Sequence, residues 1–322
     1  MTDLTVRIAG KNFKNPVWAA SGTFGCGEEL ERFVDLRNIG AIVTKTVTLG
    51  EREGNPPPRV IETASGLLNS VGLENKGAEW FVKNKYPFLK QCGTNVVVSF
   101  AAFTPGEWVK CAEILTDGDF PDAFEINLSC PNVSYGAARG LVAQDKRAVE
   151  KVLRAVKAVT RVPLIAKLTP NVTDIGEIAV RAESSGADAV AVANTFQGVA
   201  VDAETMKPYF KRVVAGLSGP AIKPLALKAV MDAYRQVKVP VVGIGGIMTG
   251  IDAAEFMLCG AAAVEVGTAT LRDPCSCSRV LEELQEYLKT KGVKKARELT
   301  GRAAKQKGLP RAISKNRKRN VI

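Results

Sequence analysis

The sequence predicts an α/β chain closed into a (β/α)8 TIM barrel, and three observations carry that prediction. Short apolar runs alternate with amphipathic stretches along most of the 322 residues, as strands and crossover helices do. The runs are near-continuous Val, Ile, Ala and Leu, which suits parallel strands buried on both faces. Eight such runs can be counted, and the chain is long enough for one barrel with insertions. An open, doubly wound parallel sheet is the alternative architecture.

Val6 to Phe13 reads as a small N-terminal hairpin turned at Ala9-Gly-Lys-Asn. Strands are expected at Val17–Ala20, Ala41–Lys45, Asn95–Phe100, Phe124–Leu128, Pro163–Leu168, Ala189–Ala193, Val241–Gly243 and Ala262–Val266. Helices are expected at Glu28–Val34, Glu107–Leu115, Lys146–Val159, Ile175–Ser185, Lys223–Val237 and Gly250–Leu258, with Ser276–Lys289 after the last strand. In the third of these, Val149, Val152, Leu153 and Val156 recur at helical spacing opposite Lys, Arg and Glu. Three connections exceed what a minimal barrel needs: residues 49–78, 130–144 and 195–222. They are expected as long loops over the C-terminal face of the strands, where lids and substrate loops belong. The first contains Asn55-Pro-Pro-Pro-Arg59, stiffened by its prolines, then Asn69 beside Gly72, suited to a tight polar loop reaching back over the mouth.

The formal net charge is +11, but it is not spread evenly. From Lys289 to Ile322 there are thirteen Lys or Arg and one acid, Glu298, a local net of +12 that leaves −1 for the rest. A near-neutral body gives no reason to expect nucleic acid at the barrel mouth. The N-terminus lacks a charged-then-apolar signal pattern, and no apolar run approaches membrane-spanning length. A cytoplasmic protein with reduced thiols is therefore expected, with no membrane partner. The seven cysteines form no CxxC pair and the chain has no histidine. That removes His-dependent mechanisms and points to no metal site.

Catalytic groups in a barrel stand just beyond the C-terminal ends of its strands. Those positions hold Ser21 and Gly22, Lys45 and Thr46, Ser99, Asn127 and Cys130, Lys167, Asn194 and Thr195, Gly245 and Gly246, and Gly267 and Thr268. Small residues after the seventh and eighth strands suit a phosphate site, although each pair alone could be turn glycine. A phosphate anchor beside a polar cavity suits a flavin mononucleotide. Lys167 would then stand where a cation stabilises negative charge near N1 and O2 of the flavin. A purely structural ion pair for Lys167 needs a buried acid, and none is evident on the adjacent strand ends. Lys45 could meet a substrate carboxylate or the flavin, or simply face solvent. Cys130 follows the apolar run Ala123–Leu128 and is stopped by Pro131. It is either a placed reactive thiol or an inert buried one, and without histidine it leads the choice of base.

Six motifs carry a resemblance: Pro56-Pro-Pro-Arg-Val, Leu68-Asn-Ser-Val-Gly-Leu-Glu-Asn, Asn127-Leu-Ser-Cys-Pro-Asn, Lys167-Leu-Thr-Pro-Asn-Val-Thr-Asp-Ile, Asn194-Thr-Phe-Gln-Gly-Val-Ala-Val-Asp and Gly243-Ile-Gly-Gly-Ile. In this order they resemble class 1 dihydroorotate dehydrogenases, and within them the 1B branch of NAD-linked catalytic subunits. The resemblance covers about residues 4–304, so the chain is read as one FMN-binding barrel domain, 1–304, with a basic C-terminal tail, 305–322, expected to be a flexible extension. It implies oxidation of dihydroorotate to orotate in pyrimidine synthesis. Cys130 would take the C5 proton while hydride passes from C6 to N5 of FMN. Lys45, Asn69, Ser70, Val71, Gly72, Leu73, Asn127, Asn194 and Thr195 would hold the substrate. Ser21, Lys45, Thr46, Ser99, Asn127, Lys167, Ala193, Gly219, Gly245, Gly246, Gly267 and Thr268 would hold the flavin. The resemblance further implies a partner subunit with FAD and a 2Fe–2S cluster, in a heterotetramer built on a catalytic homodimer. The chain departs from the family pattern at Ser99-Phe-Ala-Ala, where Asn-Val-Ala-Gly is usual, and in its tail.

Two other readings compete. A related flavoprotein could act on another dihydropyrimidine, such as uracil or dihydrouridine in tRNA. The barrel could also serve as a binding or scaffolding subunit, against which stand Cys130, both lysines and the three asparagines.

Overall fold

The structure, a computed structural model, describes residues 2–129 and 141–306. Its centre is β1 (Val17–Ala19), β2 (Ala41–Val43), β3 (Asn95–Phe100), β4 (Ala123–Asn127), β5 (Leu164–Lys167), β6 (Ala189–Val192), β7 (Val241–Ile244) and β8 (Ala261–Val266). These eight strands form a closed barrel in sequence order. Parallel pairing of Val264 with Val17 and Val266 with Ala19 joins the last strand to the first, which rules out the open sheet. Every expected strand is present, its ends shifted by no more than two residues.

The helices are α1 (Ala78–Leu89), α2 (Pro105–Leu115), α3 (Lys146–Lys157), α4 (Ile175–Ser184), α5 (Lys223–Tyr234), α6 (Gly250–Cys259), α7 (Thr268–Arg272) and α8 (Ser276–Thr290). Several begin on polar caps. Thr104 accepts from Glu107 N, Asp145 from Arg147 N and Asp174 from Gly176 N, each worth about 1 kcal/mol. The stretch expected as a helix at Glu28–Val34 is instead a series of turns leading to a 3-10 turn at Leu36–Asn38. Seven residues are too few to repay helix nucleation without strong packing, and Phe33 there is exposed. Conversely, α1 stands where no helix is expected, with Pro87 inside it. Ala78, Phe81, Tyr86 and Leu89 nevertheless give it a buried face.

Two apolar layers support the barrel. Outside the strands, the helices pack Trp108, Leu153, Val156 and Phe256 against them. Inside, Trp18, Val43, Val97, Ala123, Ile165, Ala191, Val242 and Ala263 fill the interior together with Val6, Ile8 and Phe13 of the N-terminal hairpin. That hairpin pairs Val6–Ile8 with Lys11–Phe13, and Phe13 packs on Trp18 with ring centroids 4.4 Å apart. It plugs the N-terminal end of the barrel and leaves the C-terminal end for chemistry.

Two of the three long insertions are not independent loops. Residues 60–63, 66–69, 196–198 and 215–218 form one antiparallel sheet, with Leu68 paired to Leu217. A lone hairpin is marginal, and joining the two buries Leu68, Phe210 and Ala215 in a core of their own. The third insertion lies mostly outside the described residues. After α8, Gly301 N and Ala303 N bond to Met257 O and Leu258 O at 2.9 and 3.0 Å, folding the segment back on α6. Among the described residues no helix is long and apolar enough to cross a membrane.

Candidate active site

Successive inward positions of a strand are two residues apart, and two residues beyond the apolar plug the interior turns polar. Val97 gives way to Ser99, Ala123 to Glu125, Ile165 to Lys167 and Ala263 to Glu265, all buried. Lys167 Nζ stands 3.2 Å from both Glu125 carboxylate oxygens and 3.4 Å from Glu265 Oε2. The three side chains are 6, 1 and 1% exposed. Burial alone would push the Lys167 ammonium down, but Glu125 and Glu265 outweigh it and hold it above its ordinary range. Glu265 is pushed up to about 8, by burial first and then by the Glu125 charge.

This corrects the expectation that no buried acid faces Lys167. The acids lie one layer below the strand ends, inside apolar-looking strands. Each had a visible signal, a lone charge in Ala-Phe-Glu-Ile-Asn and Ala-Val-Glu-Val-Gly, because such residues are almost never fully buried unless paired. A buried ion pair does not exclude contact with a cofactor above it.

The next layer is a hydroxyl and amide network. Thr46 Oγ1 lies 3.2 Å from Ser21 Oγ and 3.0 Å from Ser99 Oγ, and accepts from Asn127 Nδ2 at 3.2 Å. Ser99 Oγ in turn donates to Glu125 Oε1 at 2.9 Å. Asn194 Nδ2 reaches Asn127 Oδ1 at 3.5 Å, and Ala193, directly before it, donates its N–H to Ile244 O. Ser21, Thr46, Ser99, Asn127 and Asn194 are thus brought together, with Lys167 beside Asn127 in the strand register.

Residues 69–73 arrive from the insertion sheet and are held by their own supports. Asn55 Nδ2 donates to Ser70 O and Oγ, Asn55 N to Val71 O, Arg52 Nε to Gly72 O and Asn75 Nδ2 to Leu73 O. Lys45 Nζ clasps Glu74 Oε2 at 2.8 Å, with Arg59 Nη1 3.8 Å from the same oxygen. The Lys45 hydrogen bond keeps the Glu74 carboxyl below its usual range. Lys45 is therefore paired rather than simply solvated, though still 38% exposed. Asn69 Nδ2 donates to Gly216 O at 3.1 Å, and Asn171 Nδ2 to Thr195 O at 3.1 Å. Glu74 and Asn171 stand inside quoted motifs but were not singled out; polar type alone did not mark them as supports.

The small residues after β7 and β8 converge with Gly219. At Gly246, whose φ is +76°, a Cβ would lie 2.8 Å from Gly219 O, a close approach that only glycine permits. Thr268 Oγ1 donates to Ser218 Oγ at 2.8 Å, and Gly267 precedes the first turn of α7. Tight backbone convergence at a helix start, beside the Ser218 and Thr268 hydroxyls, fits a phosphate-bearing cofactor.

Cys130 lies outside the described residues. The thiols of Cys26, Cys111 and Cys277 are pushed up to about 12 by burial, and burial also raises Cys92 and Cys259. In those five, burial disfavours the thiolate that reaction requires.

The family profile described as dihydroorotate dehydrogenase matches residues 3–288. The catalytic subunit of dihydroorotate dehydrogenase B (NAD(+)) from Geobacter sulfurreducens is 48% identical over 300 residues, 93% of this chain and 97% of the relative. Its counterpart from Bacteroides thetaiotaomicron is 47% identical over 302 residues, 94% and 99% of the two chains. That from Caldicellulosiruptor bescii is 46% identical over 300 residues, 93% and 98%.

Proposed function

This chain belongs to the dihydroorotate dehydrogenase family, and from that premise we propose how its residues oxidise dihydroorotate to orotate in pyrimidine synthesis. The observation that carries the reading is the stack of layers at the barrel's C-terminal end: apolar plug, buried Lys167 with its acids, hydroxyl and amide network, then glycine cradle.

The family is flavin-dependent, and the flavin proposed here is FMN. Bound at this mouth, it supplies at N5 an acceptor for the hydride that leaves C6 of dihydroorotate. Gly219, Gly245, Gly246, Gly267 and Thr268 would hold its phosphate. Lys223 beside them is neutralised by Asp252 at 2.6 Å and Glu255 at 2.9 Å, which leaves backbone N–H groups and hydroxyls for that task. Ser21, Lys45, Thr46, Ser99, Asn127, Lys167 and Ala193 would surround the rest, with Lys167 offsetting negative charge.

Asn69, Asn127, Asn194 and Thr195 would orient the pyrimidine ring, and the backbone of residues 70–73 would close over it. Lys45 would share its charge between Glu74 and the substrate carboxylate. Cys130 would remove the C5 proton as the C5–C6 double bond forms. The raised pKa of five other thiols and the lack of histidine support that assignment.

The relatives are named catalytic subunits, so a separate subunit carries the electrons onward. It would hold FAD and a 2Fe–2S cluster and deliver electrons to NAD, in a heterotetramer on a dimer of this chain. Val201, Met206, Val213 and Val214 stand exposed in the insertion between Gly198 and Ala215, and exposed apolar side chains gathered in one segment support contact with another chain. Six free thiols among the described residues support a reducing, cytoplasmic setting. The barrel domain would end near Ala304, and a chain cut after it should keep full turnover.

The purified FMN-loaded chain, mixed anaerobically with dihydroorotate, should bleach at once. A dye should reoxidise it, and NAD alone should not. A yellow protein that dihydroorotate leaves unchanged would overturn the reading.

A further inference from the structure

Glu125, Lys167 and Glu265 place three ionisable groups in an interior that tolerates one paired charge of each sign. Two carboxylates and one ammonium in so dry a space leave one negative charge unbalanced, and the cost is relieved if one acid holds a proton. The contacts show which acid that is. Glu125 receives Ser99 Oγ at 2.9 Å and Lys167 at 3.2 Å, whereas Glu265 has only Lys167 at 3.4 Å. Glu125 thus has the fuller set of donors and Glu265 the poorer. Glu125 Oε2 is buried without a well-formed hydrogen bond, and both acids approach the same Lys167 ammonium.

We infer that Glu265 is a positioning residue that stores a proton beneath the cofactor and sets, through Lys167, the charge the barrel presents to the flavin. The surroundings of Glu265 isolate this exchange. Its strand neighbours in register are Trp18 on β1 and Ile244 on β7, neither of them charged. The interior positions of β2 and β6 offer Val43 and Ala191, and β3 offers Ser99. The charged groups facing it are Glu125 from β4 and Lys167 from β5.

The inference rests on the flavin reading above and extends it to proton balance. Oxidation of dihydroorotate delivers two electrons and one proton to the flavin as hydride, and the C5 proton leaves to the base. The added negative charge sits near Lys167 and raises the proton affinity of Glu265. At neutral pH Glu265 already holds its proton in the oxidised enzyme, so nothing more is taken up. At more alkaline pH, where Glu265 has lost its proton in the oxidised enzyme, reduction draws up to one further proton from water onto its carboxylate.

The test is the midpoint potential of the flavin in the FMN-loaded chain, measured from neutral to alkaline pH. The wild-type slope should correspond to one proton per electron pair near neutrality and steepen toward two protons at alkaline pH, once Glu265 is deprotonated in the oxidised enzyme. Glu265→Gln should keep the one-proton slope throughout. A uniform one-proton slope in the wild type, or an unchanged steepening in Glu265→Gln, would overturn the inference. Should that variant fail to fold, an indicator dye in weakly buffered solution reads the same quantity on wild type. One extra proton per flavin reduced at alkaline pH supports the store, and none removes it. A chain that takes up no flavin overturns the functional reading instead.

Discussion

Ser99 Oγ lies 2.9 Å from Glu125 Oε1 across the β3–β4 pair and 3.0 Å from Thr46 Oγ1. One hydroxyl therefore links the amide network at the mouth to the ion pair beneath it. Its proton is committed to a carboxylate, so towards the flavin Ser99 works mainly through Thr46. Ser99→Ala leaves Glu125 with Lys167 as its remaining donor. It should cost about 1–3 kcal/mol, the usual result of stranding a buried acceptor. Urea denaturation of the flavin-free protein measures this, and a cost near zero would mean that the contact carries no energy.

Lys167→Met should be worse, because it leaves two acids facing each other without a cation. Removing one partner of a buried pair typically costs about 3–5 kcal/mol. The double variant Lys167→Met/Glu125→Gln should recover a large part of that stability while binding FMN poorly. If the double variant is no more stable than the single one, the cost is one of packing and not of charge.

The contrast between Lys167 and its partners explains what was legible in the sequence. Strand ends are marked by glycine, proline and changes of period, so Lys45, Asn127, Asn194 and the glycine pairs could be placed on one face of a barrel. Glu125 and Glu265 sit mid-strand, where spacing alone cannot say which side faces the interior or how deep it lies. The joining of residues 66–69 to 215–218 escaped for another reason: pairing between distant insertions leaves no local signature. Helix α1 was hidden by Pro87, whose cost is outweighed by burying Phe81, Tyr86 and Leu89. Cys130 could be proposed from motif and chemistry, and its surroundings are not among the described residues.

Glu265 also makes stability depend on pH with a definite sign. Its carboxyl is raised from 4.5 to about 8 in the fold, so between those values the native state holds a proton that the unfolded chain has lost. Stability should fall as pH rises through that window, by on the order of a few kcal/mol for the flavin-free protein. Lys167, held above its ordinary 10.5, loses its contribution only at higher pH and does not mask the effect. Glu265→Gln should flatten the curve between pH 4.5 and 8; equal slopes for the two proteins would remove Glu265 as the cause.

Cys130→Ala should retain the yellow colour and lose about 100- to 10,000-fold in dihydroorotate turnover, the range for removing a general base. Cys26, Cys111 and Cys277 are pushed up to about 12 by burial, which makes them poor substitutes for the missing base. Dye-linked assays at saturating substrate report the loss in kcat. Unchanged turnover would show that the C5 proton leaves by another group.

Gly216→Ala tests whether the insertion sheet builds the substrate site or only covers it. A Cβ at this position would lie 2.3 Å from Thr195 Oγ1 and 3.2 Å from Asn69 Nδ2, so both side chains must shift. Gly216 is paired with Asn69 in the sheet register, on a strand that is not one of the barrel's, so FMN binding should survive. A 1 Å misplacement of positioning groups costs on the order of 100-fold in rate. The expected result is therefore a large loss in kcat/KM for dihydroorotate with FMN affinity within about twofold of wild type, because neither displaced side chain is assigned to the flavin. Equal losses in both would mean that the sheet supports the barrel as a whole. No loss in either would place Asn69 and Thr195 outside the substrate's reach.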